Sequence, residues 1–311
     1  MKLKRKTMIT IIIILGILLA ICLYLLTQAI KCKEATDIAN QRLENYQASN
    51  FTSSYGNISY IIKGKGIPIL VFHGIFGGYD QAYETLKSFE KDYQLICPSR
   101  FGYLNSDMPE NATVLMQVKA FSEFLDYLKL DKVFLLGTSA GATPAIKFAL
   151  EFPEKTQGLI LISPAAPLVE KPAEKLGYAG PPKPFLSNFA MYLIKPLFPA
   201  VMGLSSDSIY SLLPVDLRAK GIIFDSAISN TDMTNNYDEY KIENLNSPTI
   251  IFQAKDDKMA YYDKTAASIK RFPNCLFVSF ETGGHMLEGQ NVDSYLKEFT
   301  AKNYPQNTNS Q

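Results

Sequence analysis

Two kinds of hydrophobic pattern divide the chain. From Met8 to Ile30 runs an uncharged stretch of 23 residues dominated by Ile and Leu, long enough to cross a bilayer as a helix. From Ile58 onward the pattern changes to short β-branched runs separated by amphipathic segments. Ile67 to Phe72, Tyr93 to Cys97, Lys132 to Leu136, Gly158 to Ile162, Thr249 to Phe252 and Cys275 to Phe280 read as strands. Runs apolar on both faces suit the centre of a parallel sheet covered by helices. Between them, Ala112 to Leu128 places Val114, Val118, Phe121, Phe124, Leu125 and Leu128 on one side of a helix. Strand and helix alternating in this way predict an α/β fold, a mostly parallel sheet with helices on both faces.

Two intervals interrupt the rhythm. Residues 31–54 are polar and charged with spaced apolar positions, and read as a stalk or a helix leading to the domain at 55–302. Residues 164–245 contain no clear strand and many prolines, with an apolar band at Phe185, Leu186, Phe189, Tyr192, Leu193, Leu197 and Phe198. An insertion of that length is usually functional, and it reads as a helical cap over the sheet. Residues 303–311 are rich in Asn and Gln and read as a flexible tail.

Composition narrows the class. The chain has 311 residues, 47% hydrophobic and 20% charged, with a net charge of +1, which excludes a disordered or collagen-like protein. Four cysteines are too few for a disulfide scaffold, and with only two histidines a dedicated metal site is not expected. The charge is unevenly placed. Lys2, Lys4, Arg5 and Lys6 form a +4 tip at residues 1–7, and residues 31–311 carry −3. Basic residues ahead of an apolar span predict a single-pass anchor at 8–30 with the N-terminus cytoplasmic and the rest of the chain outside. Thr27 and Ala29 leave signal cleavage and secretion as the alternative. A mildly acidic domain is a poor partner for nucleic acid.

Four motifs follow predicted strands. Gly137-Thr138-Ser139-Ala140-Gly141 is a G-x-S-x-G at a strand-to-helix junction. There a serine is held on a sharp turn, and the following helix turns its positive end toward it. His73-Gly74-Ile75-Phe76-Gly77-Gly78 follows the first buried strand, where a glycine-rich turn can aim N–H groups at an oxyanion. Asp256-Asp257 and Gly283-Gly284-His285 follow the last two strands. Ligands of open parallel sheets bind past the C-terminal strand ends, where all four lie.

In this order, HGIFGG, PSRFGYLNSD, GTSAG, QAKDDKMA and GGHML, the chain resembles the α/β-hydrolase-fold serine hydrolases of the esterase and lipase kind over about residues 59–299. The resemblance implies a sheet with a helical cap inserted after the strand that follows the nucleophile helix. It also implies a triad of Ser139 as nucleophile, His285 as base and an orienting aspartate. Backbone N–H groups of Ile75 and Ala140 would form the oxyanion hole, with His73 and Gly74 supporting that loop. Counting from Ala254, where the family usually has glycine, favours Asp257 as the acid; Asp256 stays open. Ser99 stands where the family more often has aspartate, and Ala142 where a further glycine is common. A serine at the elbow separates the chain from the haloalkane dehalogenase and epoxide hydrolase branches, which attack with aspartate.

The implied reaction is cleavage of a carboxylic ester or related acyl compound through an acyl-enzyme, without metal or organic cofactor. Acyl transfer by the same triad and a non-catalytic binding protein on the same fold are the alternatives. The Phe, Tyr, Leu and Met content of the cap suits a small acyl-bearing substrate, lipid among them, and serves equally to pack the cap on the sheet.

Overall fold

The structure, a computed structural model, describes residues 2–304. In chain order it contains α1 (Lys2–Asn45), β1 (Ser49–Ser53), β2 (Gly56–Lys63), β3 (Ile67–Phe72), α2 (Tyr79–Leu86), β4 (Tyr93–Pro98), α3 (Val114–Tyr127), β5 (Val133–Thr138), α4 (Ala142–Glu151) and β6 (Thr156–Ile162). Then come five short helices, α5 (Asn188–Ile194), α6 (Phe198–Val201), α7 (Ile209–Leu212), α8 (Ala219–Phe224) and α9 (Asn230–Asn235). β7 (Thr249–Ala254), α10 (Tyr262–Ser268), β8 (Cys275–Phe280) and α11 (Val292–Asn303) complete the chain.

The strands form one eight-stranded sheet in the order β1-β2-β4-β3-β5-β6-β7-β8. β2 runs antiparallel to both its neighbours, and from β4 to β8 all pairs are parallel. Side chains alternate between faces. Leu70, Phe72, Leu135 and Leu159 pack with α3 and α4. Ile69, Val71, Leu136 and Ile160 pack with Tyr79 and Tyr83 of α2 and with Leu296 and Phe299 of α11. Both faces are therefore covered, as the apolar runs predict. The strand order turns back at β3, so the loops after β3 and β5 flank the crevice where such sheets bind ligands.

Three expectations differ from the structure. Residues 31–54 form no free stalk. Instead the helical alternative holds as far as Asn45, to which α1 runs without a break, and Cys32, Ala35, Ala39 and Leu43 are buried at helical spacing, the first three against the inserted helices. Small side chains let two helices approach closely while keeping the segment polar overall, so its buried stripe is faint in the sequence. The remainder, Ser49–Ser53, pairs with β2 as the outermost strand. At the other end, Asn303 belongs to α11, and residues 305–311 of the expected tail lie outside the described residues. Cys97 and Cys275, in strands whose apolar runs predict burial, differ: Cys97 is buried in β4, and Cys275 lies half-buried on the edge strand β8. Burial raises both thiols, that of Cys275 to about 12.

Between β6 and β7 the described residues form helices and turns without a strand. This insertion packs its own apolar cluster, including Met191, Tyr192, Phe198, Ile209 and Leu213, with Phe76 and Tyr103 of the sheet's loops.

Candidate active site

β5 is buried along all six residues and ends in a turn that only small neighbours permit. Ser139 adopts φ +52°, the left-handed region that L side chains rarely occupy. At Gly141 a Cβ would lie 2.1 Å from the Phe72 carbonyl oxygen of the adjoining strand, so glycine is required where the turn crosses β3. Strain of this kind persists where surrounding structure enforces it. Here the Ser139 carbonyl accepts from the Ala165 N–H at 3.1 Å, joining the turn to the loop after β6. Helix α4 then begins at Ala142, whose N–H donates to the Ser139 carbonyl, with the positive end of the helix behind the serine.

The two acidic candidates separate in space. Asp257 Oδ2 accepts from His285 Nδ1 at 2.9 Å and from Gln253 Nε2 at 2.9 Å. Its other oxygen accepts from the N–H groups of Met259 at 2.8 Å and Ala260 at 3.0 Å. Asp256 instead accepts from the Gly284 N–H at 2.8 Å and braces the turn that carries the histidine. Burial alone would raise the Asp257 carboxyl, but the His285 bond, its charge and the two backbone donors outweigh it and hold the group below the ordinary carboxylate range. With a carboxylate on Nδ1, the Nε2 of His285 is the ring nitrogen left for another partner. No hydrogen bond joins Ser139 Oγ to His285 among the described residues; such bonds often tighten only with substrate bound.

The loop after β3 is held from several sides. Gly74 N–H donates to Gln81 Oε1 at 3.0 Å, and Gly77 N–H to the Gly74 carbonyl at 3.2 Å, closing a turn around Ile75 and Phe76. His73 is buried: its Nε2 accepts from the Arg100 N–H at 3.0 Å and its Nδ1 lies 2.8 Å from the Gly74 carbonyl. An acceptor at one nitrogen puts the proton on the other, so the ring is neutral and bonded at both ends. Burial first, and the Arg100 charge second, push its pKa well below that of a free imidazole.

Two buried ion pairs absent from the motif reading connect this loop to the insertion. Arg100 donates to the carbonyls of His73 at 3.0 Å and Gly74 at 3.2 Å while pairing at both ends with Asp225, which also accepts from the Tyr103 hydroxyl at 2.5 Å. Arg218 donates to the Gly77 carbonyl at 2.6 Å and pairs with Asp80. Arg100 had a signal, a lone cation in the otherwise apolar and small stretch PSRFG; Gln253, a polar residue within a fully buried strand, had a similar one.

A cleft of about 330 Å³ lies between the insertion and the strand ends, lined by Pro199, Met202, Leu204, Lys258 and His285 among others. Among the described residues no three His, Cys, Asp or Glu side chains converge as a metal site requires.

Comparison with known proteins agrees with this architecture. A family profile of the alpha/beta hydrolase fold matches residues 67–221. An uncharacterised hydrolase, YcgS of Bacillus subtilis (strain 168), is 32% identical over 120 residues, covering 38% of this chain and 41% of that protein. A 2-hydroxy-6-oxo-6-phenylhexa-2,4-dienoate hydrolase of Burkholderia cepacia is 22% identical over 75% of this chain and 86% of its own length. Among solved structures, a thermophilic esterase from Thermogutta terrifontis superposes with a TM-score of 0.63 at 19% identity, over 83% of this chain and 99% of that one. Together with the sheet order and capped crevice, these likenesses define the class: the chain is an enzyme of the α/β-hydrolase fold. The relatives named here are hydrolases and an esterase.

Proposed function

We propose that the protein is a membrane-anchored serine hydrolase that cleaves a carboxylic ester or related acyl substrate through an acyl-enzyme on Ser139. The observation that carries this reading is the 2.9 Å bond from His285 Nδ1 to a buried Asp257 at the ends of adjacent strands, together with a serine held at φ +52° on the turn after β5. His285 Nε2 takes the hydroxyl proton as Ser139 Oγ attacks the carbonyl carbon, and Asp257 stabilises the imidazolium that forms. The carbonyl oxygen, now an anion, accepts from the N–H groups of Ile75 and Ala140. Loss of one such donor raises a barrier by about 2.7–4 kcal/mol. The tetrahedral intermediate collapses as His285 returns its proton to the leaving alcohol. Water then attacks the acyl-enzyme by the same route, and Ser139 leaves with the proton. His73 transfers no proton in this cycle; it holds the oxyanion loop in place.

The anchor in this reading is the apolar part of α1, which is long enough to cross a bilayer and has no buried residue in its most apolar window, where the mean hydropathy is 3.1. The basic tip ahead of it favours a cytoplasmic N-terminus and an extracytoplasmic site. A chain-length series of p-nitrophenyl esters tests the activity: turnover by the full-length protein, abolished in Ser139→Ala, supports it, and no turnover of any ester contradicts it.

A further inference from the structure

α1 leads from the apolar span directly into the cap. Ile30 ends the span, and Cys32, about 3 Å further along the axis at 1.5 Å per residue, is buried in one cluster with Met191, Tyr192, Phe198 and Ile209. The buried stripe of Cys32, Ala35, Ala39 and Leu43 extends backward through Leu25 and Gln28, which are partly covered while the apolar residues around them stand exposed. Lys195 and Asp216 of the cap both act electrostatically on the Cys32 thiol. A bilayer crossed by residues 8–30 therefore has its surface level with residues 195–201.

That same stretch exposes apolar side chains. Phe198 points inward, whereas Leu197 is 57% and Val201 70% exposed. Lys195 Nζ lies 3.7 Å from the Tyr192 ring centroid and 5.5 Å from that of Tyr210, the mixture of aromatic and basic groups that membrane interfaces favour. Pro199 of this stretch and the adjoining Met202 also line the cleft that reaches His285.

We propose that residues 197–201 of the cap insert into the headgroup and acyl boundary of the bilayer that α1 crosses, and that the cleft to His285 opens at this boundary. The substrate is then a membrane-resident amphiphile, an acyl lipid whose ester reaches Ser139 from the bilayer. This rests on the anchoring and acyl-cleaving function proposed above. The occupant of the apolar tip is lipid because the tip is continuous with a helix long enough to span a membrane, held to it by buried contacts. Two exposed aliphatic side chains contribute modestly, as interfacial burial scales with apolar area, but the span already holds them at the surface.

The chain has no tryptophan, so a single one reports its own surroundings. Full-length Val201→Trp and, as reference, Leu276→Trp on the exposed edge strand β8 are reconstituted in phosphatidylcholine–phosphatidylglycerol vesicles with brominated acyl chains. Val201→Trp is expected to emit at shorter wavelength and be quenched at least twofold more than Leu276→Trp; equal quenching overturns insertion. In a second measurement, Leu197→Glu/Val201→Glu is expected to lower turnover of a long-chain acyl ester embedded in vesicles at least tenfold while keeping hydrolysis of soluble p-nitrophenyl acetate within twofold. Equal effects on both substrates overturn delivery from the bilayer. Quenching of Val201→Trp alongside a wild-type protein that hydrolyses neither ester removes the acyl-hydrolase reading and delivery from the bilayer and leaves insertion standing.

Discussion

Arg218 of the cap and Asp80 at the start of α2 form a buried two-point ion pair, with contacts of 3.0 and 2.7 Å. The same aspartate accepts from Arg42 of α1 at 3.2 Å, and Arg42 also donates to the carbonyls of Tyr210 at 2.6 Å and Leu213 at 3.0 Å. One carboxylate thus joins the N-terminal helix, the cap and the helix that follows the loop after β3. Because Arg218 also holds the Gly77 carbonyl, disturbance of this junction is transmitted to the loop.

Breaking the pair from one side leaves a buried charge without its partner, which typically costs about 3–5 kcal/mol. Asp80→Asn is expected to lower the unfolding midpoint accordingly and to reduce kcat through the loosened loop. Burial by itself raises the Asp80 carboxyl, but the Arg218 guanidinium more than offsets this and holds it below the usual value. A folded value below the unfolded one stabilises the protein at pH above about 4 and loses that contribution as pH falls through the depressed value. Denaturant midpoints followed from pH 7 to pH 3 should fall more steeply for wild type than for Asp80→Asn.

Backbone crowding predicts a sharp contrast between two glycines. A Cβ at Gly141 would meet the Phe72 carbonyl at 2.1 Å and that of His73 at 2.6 Å, both rigid backbone atoms. Gly141→Ala is expected to destabilise by about 3 kcal/mol or more and to abolish activity. A Cβ at Gly177 meets nothing within 4 Å, and Gly177→Ala should stay within about 0.5 kcal/mol of wild type. Thermal unfolding of the two variants side by side checks both.

Proton traffic in the site should involve one histidine. His73 is neutral and bonded at both nitrogens, so His73→Gln is expected to reduce kcat while leaving the midpoint of the acid limb of kcat/KM unchanged. A shifted midpoint would show that His73 titrates in the working range.

The sheet was legible because its central strands are buried on both faces and so read as unbroken apolar runs; the turns after them were legible because tight crossings demand glycine. β1 was not, since Ser-Asn-Phe-Thr-Ser is a short polar edge whose partner, not its composition, makes it a strand. The docking of residues 31–45 was hidden by small side chains that bury well without raising hydropathy. Arg100 with Asp225 and Arg218 with Asp80 lie 125 and 138 residues apart, and no local pattern signals such a pairing. Counting from Ala254 favours Asp257 but leaves its neighbour Asp256 open; in the structure the N–H groups of Met259 and Ala260 hold Asp257, which bonds His285, while Asp256 accepts from the Gly284 N–H.

The central claim is that Ser139 is a nucleophile activated by His285, and labelling with a fluorophosphonate probe tests it most directly. The folded wild-type protein should carry one adduct on the peptide containing Ser139, and Ser139→Ala should carry none while unfolding at a similar temperature. An unlabelled wild type, or label that persists in Ser139→Ala, would contradict the account.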